Sequence, residues 1–218
     1  RDLRMSRGLG DVYKRQIDTI ISAVDRSKAE GQRNRAILET LYSCGLRVSE
    51  LVNLKLSDLY FDEGFIKVEG KGSKQRLVPI SPRAINEIKL YFADRNQIEV
   101  KKDYEDFVFV SQRRGKSLSR IMIFHMIKEL AQNAGITKNI SPHTFRHSFA
   151  THLLEGGANL RAIQCMLGHE SIATTEIYTH IDRNMLRSEI IEHHPRNIKY
   201  RKEKESSFHS VSYTHLRA

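Results

Sequence analysis

Cysteine is nearly absent from this chain, with two in 218 residues. Cys44 and Cys165 stand far apart in no paired spacing, which excludes a disulfide framework or a cysteine-rich zinc site and fits a reducing compartment. Both are set in apolar helical text and read as small buried hydrophobes. Long apolar runs are also missing. None approaches the roughly 20 residues needed to span a bilayer, and the N-terminus has no apolar signal-peptide core. The one glycine–lysine turn, Gly70-Lys71-Gly72-Ser73-Lys74, lacks the spacing of a nucleotide-binding P-loop. His193-His194 is a poor metal pair, because neighbouring side chains point apart on a helix. What is present suits a packed domain: 39% hydrophobic and 28% charged residues, on a chain long enough for one domain with short appendages. A formal charge of +10 and a pI near 9.7 favour a polyanionic partner, since Lys and Arg that neutralise phosphates release condensed counterions. Many basic proteins have no such partner, so charge alone does not choose.

The two ends read differently from the middle. Residues 1–16 (RDLRMSRGLGDVYKRQ) and 211–218 (VSYTHLRA) carry no clear periodicity and resemble translated adapter read-through. Both are expected to be non-native and are set aside from fold reasoning. The remainder is still basic.

From Ile17 the text turns helical, with Ile17, Ile20, Ile21 and Val24 at 3/4 spacing. A second helix is expected over Asn34–Cys44, stopped by Gly45, with Arg47 in the following turn and a short helix over Val48–Leu54. Phe65–Glu69 and Arg76–Ile80 read as strands joined by the Gly70–Lys74 hairpin tip. A helix follows over 83–94, then a short strand over Asp106–Ser111. Ser117–Ala134 reads as a long helix with Ile121, Phe124, Ile127, Leu130 and Ala131 inside and Gly135 as its stop. Ser141-Pro142 is a strong helix start, anchored by Phe145, Phe149 and Leu153 and ended by Gly156-Gly157. Asn159–Leu167 stops at Gly168, Ser171 caps a helix carrying Tyr178, and Arg183–Glu192 forms a last helix. The pattern predicts a mainly α fold with a small antiparallel β-sheet or hairpin (α+β).

Four local contexts hold the candidate functional residues. In GLRVSEL, Arg47 is either a solvated arginine or one whose base is held among Gly45, Leu46, Val48 and Leu51. Lys71 in the hairpin tip is, on its own, a solvated loop lysine. His143 and Arg146 share one face of a helix's first turn, where orphan N–H groups and the dipole favour an anion. His169 is delivered into a turn between a Gly-stopped and a Ser-capped helix. Tyr178 alone reads as a core or interface tyrosine, but Thr174, Thr175, Thr179 and His180 make its surroundings polar. Two guanidiniums, an amine, two imidazoles and a phenol together suit an anionic phosphate attacked by a protein hydroxyl without a metal.

These motifs carry a family resemblance. SCGLRVSELVNLKLSDL, GKGSKQRLVPI, SPHTFRHSFATHLLEGGANLRAIQCMLGHESIATTEIYTH and the ending EHHPR follow, in order, the pattern of tyrosine recombinase (phage-integrase-like) catalytic domains, most of all the bacterial Xer type. The resemblance covers residues 17–196, leaving 197–210 as a basic C-terminal tail; the family's N-terminal core-binding domain is expected to be missing. It implies Tyr178 as nucleophile, forming a 3′-phosphotyrosine; Arg47 and Arg146 on the phosphate oxygens; Lys71 as general acid; His143 as base toward Tyr178; and His169 as a further phosphate donor. No cofactor or metal is implied, because the phosphodiester's energy is conserved in the tyrosyl linkage. Implied partners are double-stranded DNA and further subunits, in a homo- or hetero-tetramer docked through the helix near 183–192. The implied location is the bacterial cytoplasm. The implied activity is site-specific recombination, of the kind that resolves chromosome dimers. Its alternatives are a phage or mobile-element integrase, a type IB topoisomerase-like enzyme and a non-catalytic DNA-binding fragment.

Overall fold

The computed structural model describes residues 6–168, 183–198 and 200; the side chains of residues 6–13 and of Lys71 lie outside that description. The chain runs α1 (Ser6–Ser22), α2 (Gly31–Cys44), α3 (Val48–Val52), β1 (Leu59–Tyr60), β2 (Phe65–Glu69), β3 (Gln75–Pro79), α4 (Pro82–Arg95), α5 (Arg120–Asn133), α6 (Pro142–Glu155), α7 (Leu160–Leu167) and α8 (Arg183–His193). It is mainly helical with one three-stranded antiparallel sheet, ordered β1-β2-β3. The α1 helix begins before Ile17, running from Ser6.

The central element is α2. Every residue from Arg35 to Cys44 is buried, because α1, α4 and α6 all pack on it. A helix covered all round must satisfy its polar side chains internally. Glu39, fully buried, does so by accepting from Arg83 Nε at 3.1 Å and from both Nε and Nη2 of Arg196. Arg196 in turn donates to Asp18 at 2.7 Å. One carboxylate on α2 therefore gathers α1, α4 and the segment after α8.

Two apolar clusters fill the interior. The larger joins α1 (Ile17, Ile20), α2 (Ile37, Leu41), the sheet (Ile66, Val78), α4 (Ile88, Tyr91) and α5 (Ile123, Ile127). The smaller joins Phe149 and Leu153 of α6, Ala162 and Met166 of α7, and Leu186 and Ile190 of α8. Helix α6 belongs to both, since Phe145 sits in the first cluster and Phe149 in the second. The α8 helix thus covers core of its own chain, followed by fully buried His194, whose Nε2 meets Tyr42 O at 3.2 Å.

Two expectations need correction. Asp106–Ser111 is not a strand. Val108, Phe109 and Val110 are all at most 1% exposed, so no face alternates. Their backbone groups go to separate partners, through single bridges Lys55↔Phe107 and Val110↔Ser117. The long helix starts at Arg120 under a Ser119 N-cap that accepts from Met122 N. Its inner face is Ile123, Ile127 and Ala131, while Ile121 is 68% exposed and Phe124 38%. Ile127 and Ala131 are inside as expected; in the first turn apolar residues line two sides of the helix, and packing selected Ile123 in place of Ile121 and Phe124. Along the remaining chain the hairpin, the α6 start and the Gly45 and Gly168 stops fall where expected.

Burial pushes the His194 imidazole down to about 3. It therefore stays neutral in the fold, while an unfolded histidine takes up a proton below about 6.5. As pH falls from 6.5 towards 3 the unfolded state binds more protons, so stability drops by up to about 1.4 kcal/mol per pH unit from this group. Urea denaturation of the wild type and of His194→Gln across pH 7 to 4.5 should show the wild type losing stability more steeply; parallel curves contradict it.

Candidate active site

The site begins at a turn. Gly45 ends α2 with φ of +59°, and a Cβ there would run into the Phe149 ring. Only glycine allows α2 and α6 to approach this closely while the backbone turns left-handed. Two residues on, Arg47 is the N-cap of α3. Its backbone N–H donates to Glu50 Oε2 at 2.8 Å and its Nη1 to Oε1 at 2.9 Å. The Glu50 side chain is 1% exposed and that of Arg47 42%. The carboxylate thus grips the arginine from the protein side and leaves its other N–H groups facing outward.

Glu50 has a second grip. Arg76 of β3 donates from Nη1 to Oε1 at 2.7 Å and from Nη2 to Oε2 at 3.0 Å, a two-pronged pairing. The register Val68↔Arg76 and Ile66↔Val78 puts Arg76 on the buried face of the hairpin. Its Nε donates to Met166 O at 2.8 Å, reaching the end of α7. Burial alone would raise the Glu50 carboxyl; the Arg76 hydrogen bonds and charge, with the two Arg47 bonds, overcome it and hold Glu50 below its ordinary range.

Arg146 completes the cluster. It lies on α6, one turn after exposed His143, and donates to Gly45 O and Leu167 O, both at 2.6 Å. Its Nη1 stands 4.0 Å from Glu50 Oε2, outside hydrogen-bond reach. Burial first, then the neighbouring Arg47 charge, pulls this guanidinium down to about 10, with Glu50 opposing and Arg76 adding to the effect. Three guanidiniums around one carboxylate leave an excess of positive charge that an anion would relieve. Beside them an open cleft of about 650 Å3 is lined by Arg47, Asn53, Lys55, Lys67 and Gln75, among others.

Of the six residues singled out by sequence, the structure brings Arg47 and Arg146 together and puts His143 one turn from Arg146. Lys71 is in the hairpin tip. The preceding Gly70 backs onto the cluster, since a Cβ there would lie 3.4 Å from Arg76 Nη1 and 3.6 Å from Glu50 Oε1. His169 and Tyr178 lie outside the described residues. Glu50 and Arg76 were missed, although both left signals. Glutamate three residues after an N-cap is a capping-box spacing, and in RLVPI Arg76 alternates with Val78 and Ile80 on one face.

A sequence pattern described as the phage integrase family matches residues 11–185, and the chain belongs to that family. Within it the similarity is to Xer-type tyrosine recombinases. Tyrosine recombinase XerD of Staphylococcus saprophyticus is 44% identical over 194 residues, 88% of this chain and 65% of that protein. The XerD of Chlorobaculum tepidum is 51% identical over 164 residues, 75% of this chain and 54% of that one. Among solved structures, XerA recombinase aligns with a TM-score of 0.65 at 38% identity, covering 84% of this chain and 62% of that one. The XerH site-specific recombinase bound to its difH substrate aligns at 0.62 and 30% identity, covering 75% and 48%. The chain spans less than two thirds of the length of the curated relatives it matches.

Because the Glu50 carboxyl is held low, its stabilisation is present in full above the ordinary glutamate value of 4.5 and is lost as pH falls below it. Glu50→Gln should therefore lower unfolding free energy by about 3 kcal/mol at pH 7, as loss of one partner of a buried ion pair does. The gap should close towards pH 3. Chemical denaturation at the two pH values measures it, and an equal gap at both contradicts the assignment.

Proposed function

We propose that this chain is the catalytic domain, over residues 17–196, of a site-specific tyrosine recombinase that cuts and rejoins double-stranded DNA. The observation that carries the reading is the Arg47–Glu50–Arg146 cluster, in which Arg47 is hydrogen-bonded to the carboxylate and Arg146 is held 4.0 Å from it by two backbone carbonyls. Guanidinium forks donate paired hydrogen bonds to phosphate oxygens and do not titrate near neutrality. Arg47 and Arg146 take the non-bridging oxygens of the scissile phosphate and stabilise the charge that builds on them.

The Tyr178 phenolic oxygen attacks phosphorus, forming a phosphotyrosine on the 3′ side as the bond to the 5′ oxygen breaks. His143 receives the phenolic proton, Lys71 supplies one to the departing 5′ oxygen, and His169 adds a hydrogen bond to the phosphate. Reversal of these steps with a different 5′ hydroxyl rejoins the strand. The bond energy is kept in the tyrosyl ester, so the exchange needs neither nucleotide nor metal.

The finer proposal is an Xer-like role in resolving joined chromosomes, as a tetramer on paired DNA sites. The XerD relatives support it. In the single chain, α8 rests on its own core through Leu186 and Ile190. Reaching a neighbour therefore calls for its exposed side, where Met185 is 36% accessible, or for displacement of the helix.

The test is a pool of nicked suicide duplexes of randomised sequence, incubated with the chain and resolved under denaturing conditions. Wild type should yield a covalent protein–DNA band whose enriched sequences can be read; Tyr178→Phe should yield none. Arg146→Gln should slow adduct formation by about 10²–10³-fold, the usual effect of losing one preorganised donor. A wild type that gives no more adduct than Tyr178→Phe sinks the reading. Relaxation of supercoiled plasmid lacking any enriched sequence would point instead to topoisomerase chemistry.

A further inference from the structure

An ionised carboxylate offers about four acceptor positions. At Glu50 all four are filled. Oε1 takes Arg47 Nη1 and Arg76 Nη1, and Oε2 takes the Arg47 backbone N–H and Arg76 Nη2. Arg146, although 4.0 Å away, is shut out and bonds two backbone carbonyls instead. Two of the four positions are occupied by a residue with no direct line to the cleft, for Arg76 is buried on the core face of β3.

We propose that Arg76 is a positioning residue of this site: by filling half of Glu50's acceptor positions it keeps Arg146 from pairing with that carboxylate, so that Arg47 and Arg146 keep N–H groups free for phosphate. This rests on the recombinase reading above. Without Arg76, Glu50 would hold two open acceptor positions in a poorly hydrated place, where leaving them empty is costly. Among the described ion pairs of Glu50, the donor not already hydrogen-bonded to it is Arg146 Nη1, at 4.0 Å. Its shift would close the guanidinium onto the carboxylate and turn an anion-seeking cluster into a self-neutralised one.

A second contact fixes the same residue from the other side. Arg76 Nε holds Met166 O, and Arg146 Nη2 holds the next carbonyl, Leu167 O. Both arginines cap the C-terminal end of α7, where free carbonyls favour cations. Gly168 follows at φ +63°, and a Cβ there would stand 3.2 Å from three atoms of the Arg76 side chain. The glycine leaves room for the arginine stem, and the arginine sets where α7 stops. A lysine at position 76 would keep the charge but could not span both carboxylate oxygens while reaching Met166.

The experiment uses the full chain and a nicked duplex whose sequence the wild type has enriched from the randomised pool. Single-turnover adduct formation at saturating duplex is measured for Arg76→Met, Arg76→Lys, Glu50→Gln and the two double variants, alongside duplex affinity and melting temperature. Arg76→Met should be slower by about 10²-fold, the scale of one lost preorganised donor, and Arg76→Lys by less. Adding Glu50→Gln to either should bring no further loss, or a partial recovery, because the neutral amide no longer draws Arg146 in. Should Arg76→Met melt below the assay temperature, the lysine cycle carries the same comparison. Arg76 variants at the wild-type rate overturn the positioning role, as do single effects that multiply in the double variants. A wild type without Tyr178-dependent adduct overturns the recombinase reading and this one together, whereas adduct formed equally by wild type and Arg76→Met overturns only this one.

Discussion

A single buried carboxylate sets the geometry of this site. Taking Glu50 out of water costs several kcal/mol before any pairing, and the fold offsets that by bringing it guanidiniums from two directions. Arg47 comes from the start of α3 and Arg76 from a strand 26 residues beyond Glu50. Arg146, from α6, is held at their edge by carbonyls of the Gly45 turn and of the α7 end. The helices, hairpin and turns that supply these groups cannot shift independently without exposing a charge or orphaning a donor. Rigidity here is an electrostatic requirement rather than a by-product of good packing.

The position of the cluster between two apolar cores sharpens this. Phe145 and Phe149 on α6 commit successive turns to different clusters, and Arg146 falls between them. A polar site at such a seam borrows rigidity from both cores while remaining open to the cleft beside Arg47. Preorganised charge is effective because its reorganisation has already been met during folding, and α6 is the element that links that cost to both clusters.

How much of this could be read from the chain follows the range of each interaction. Caps and stops depend on a few adjacent residues, so Gly45, Ser141-Pro142 and Gly168 were legible, and so was the hairpin. The inner face of α5 was legible at Ile127 and Ala131 but not at its start, because Ile121 and Phe124 fit a helical stripe as well as Ile123 does, and only the packing partners distinguish them. The segment 106–111 looked like a strand because it is apolar, yet its backbone partners are scattered. Arg47 and Arg146 were found, but the carboxylate beside them was not. Among 26 acidic residues, the capping-box spacing ties Glu50 to the start of α3, and nothing local tells that Arg76 and Arg146 also come to it from distant parts of the chain. Lys71 and Tyr178 owed their selection almost wholly to family resemblance, and His169 and Tyr178 lie outside the described residues.

The buried carboxylate of α2, Glu39, has a consequence in time rather than in space. Glu39 is completed by Arg196, which follows it by 157 residues. Domains are made from the N-terminus at a finite pace, so α2 leaves the ribosome long before its last partner does. Until then Glu39 has Arg35 and Arg83 near it, and His194 has not yet reached Tyr42. Consolidation of the interior must therefore wait for the segment after α8, which serves as the closing piece of a core that was started more than 150 residues earlier.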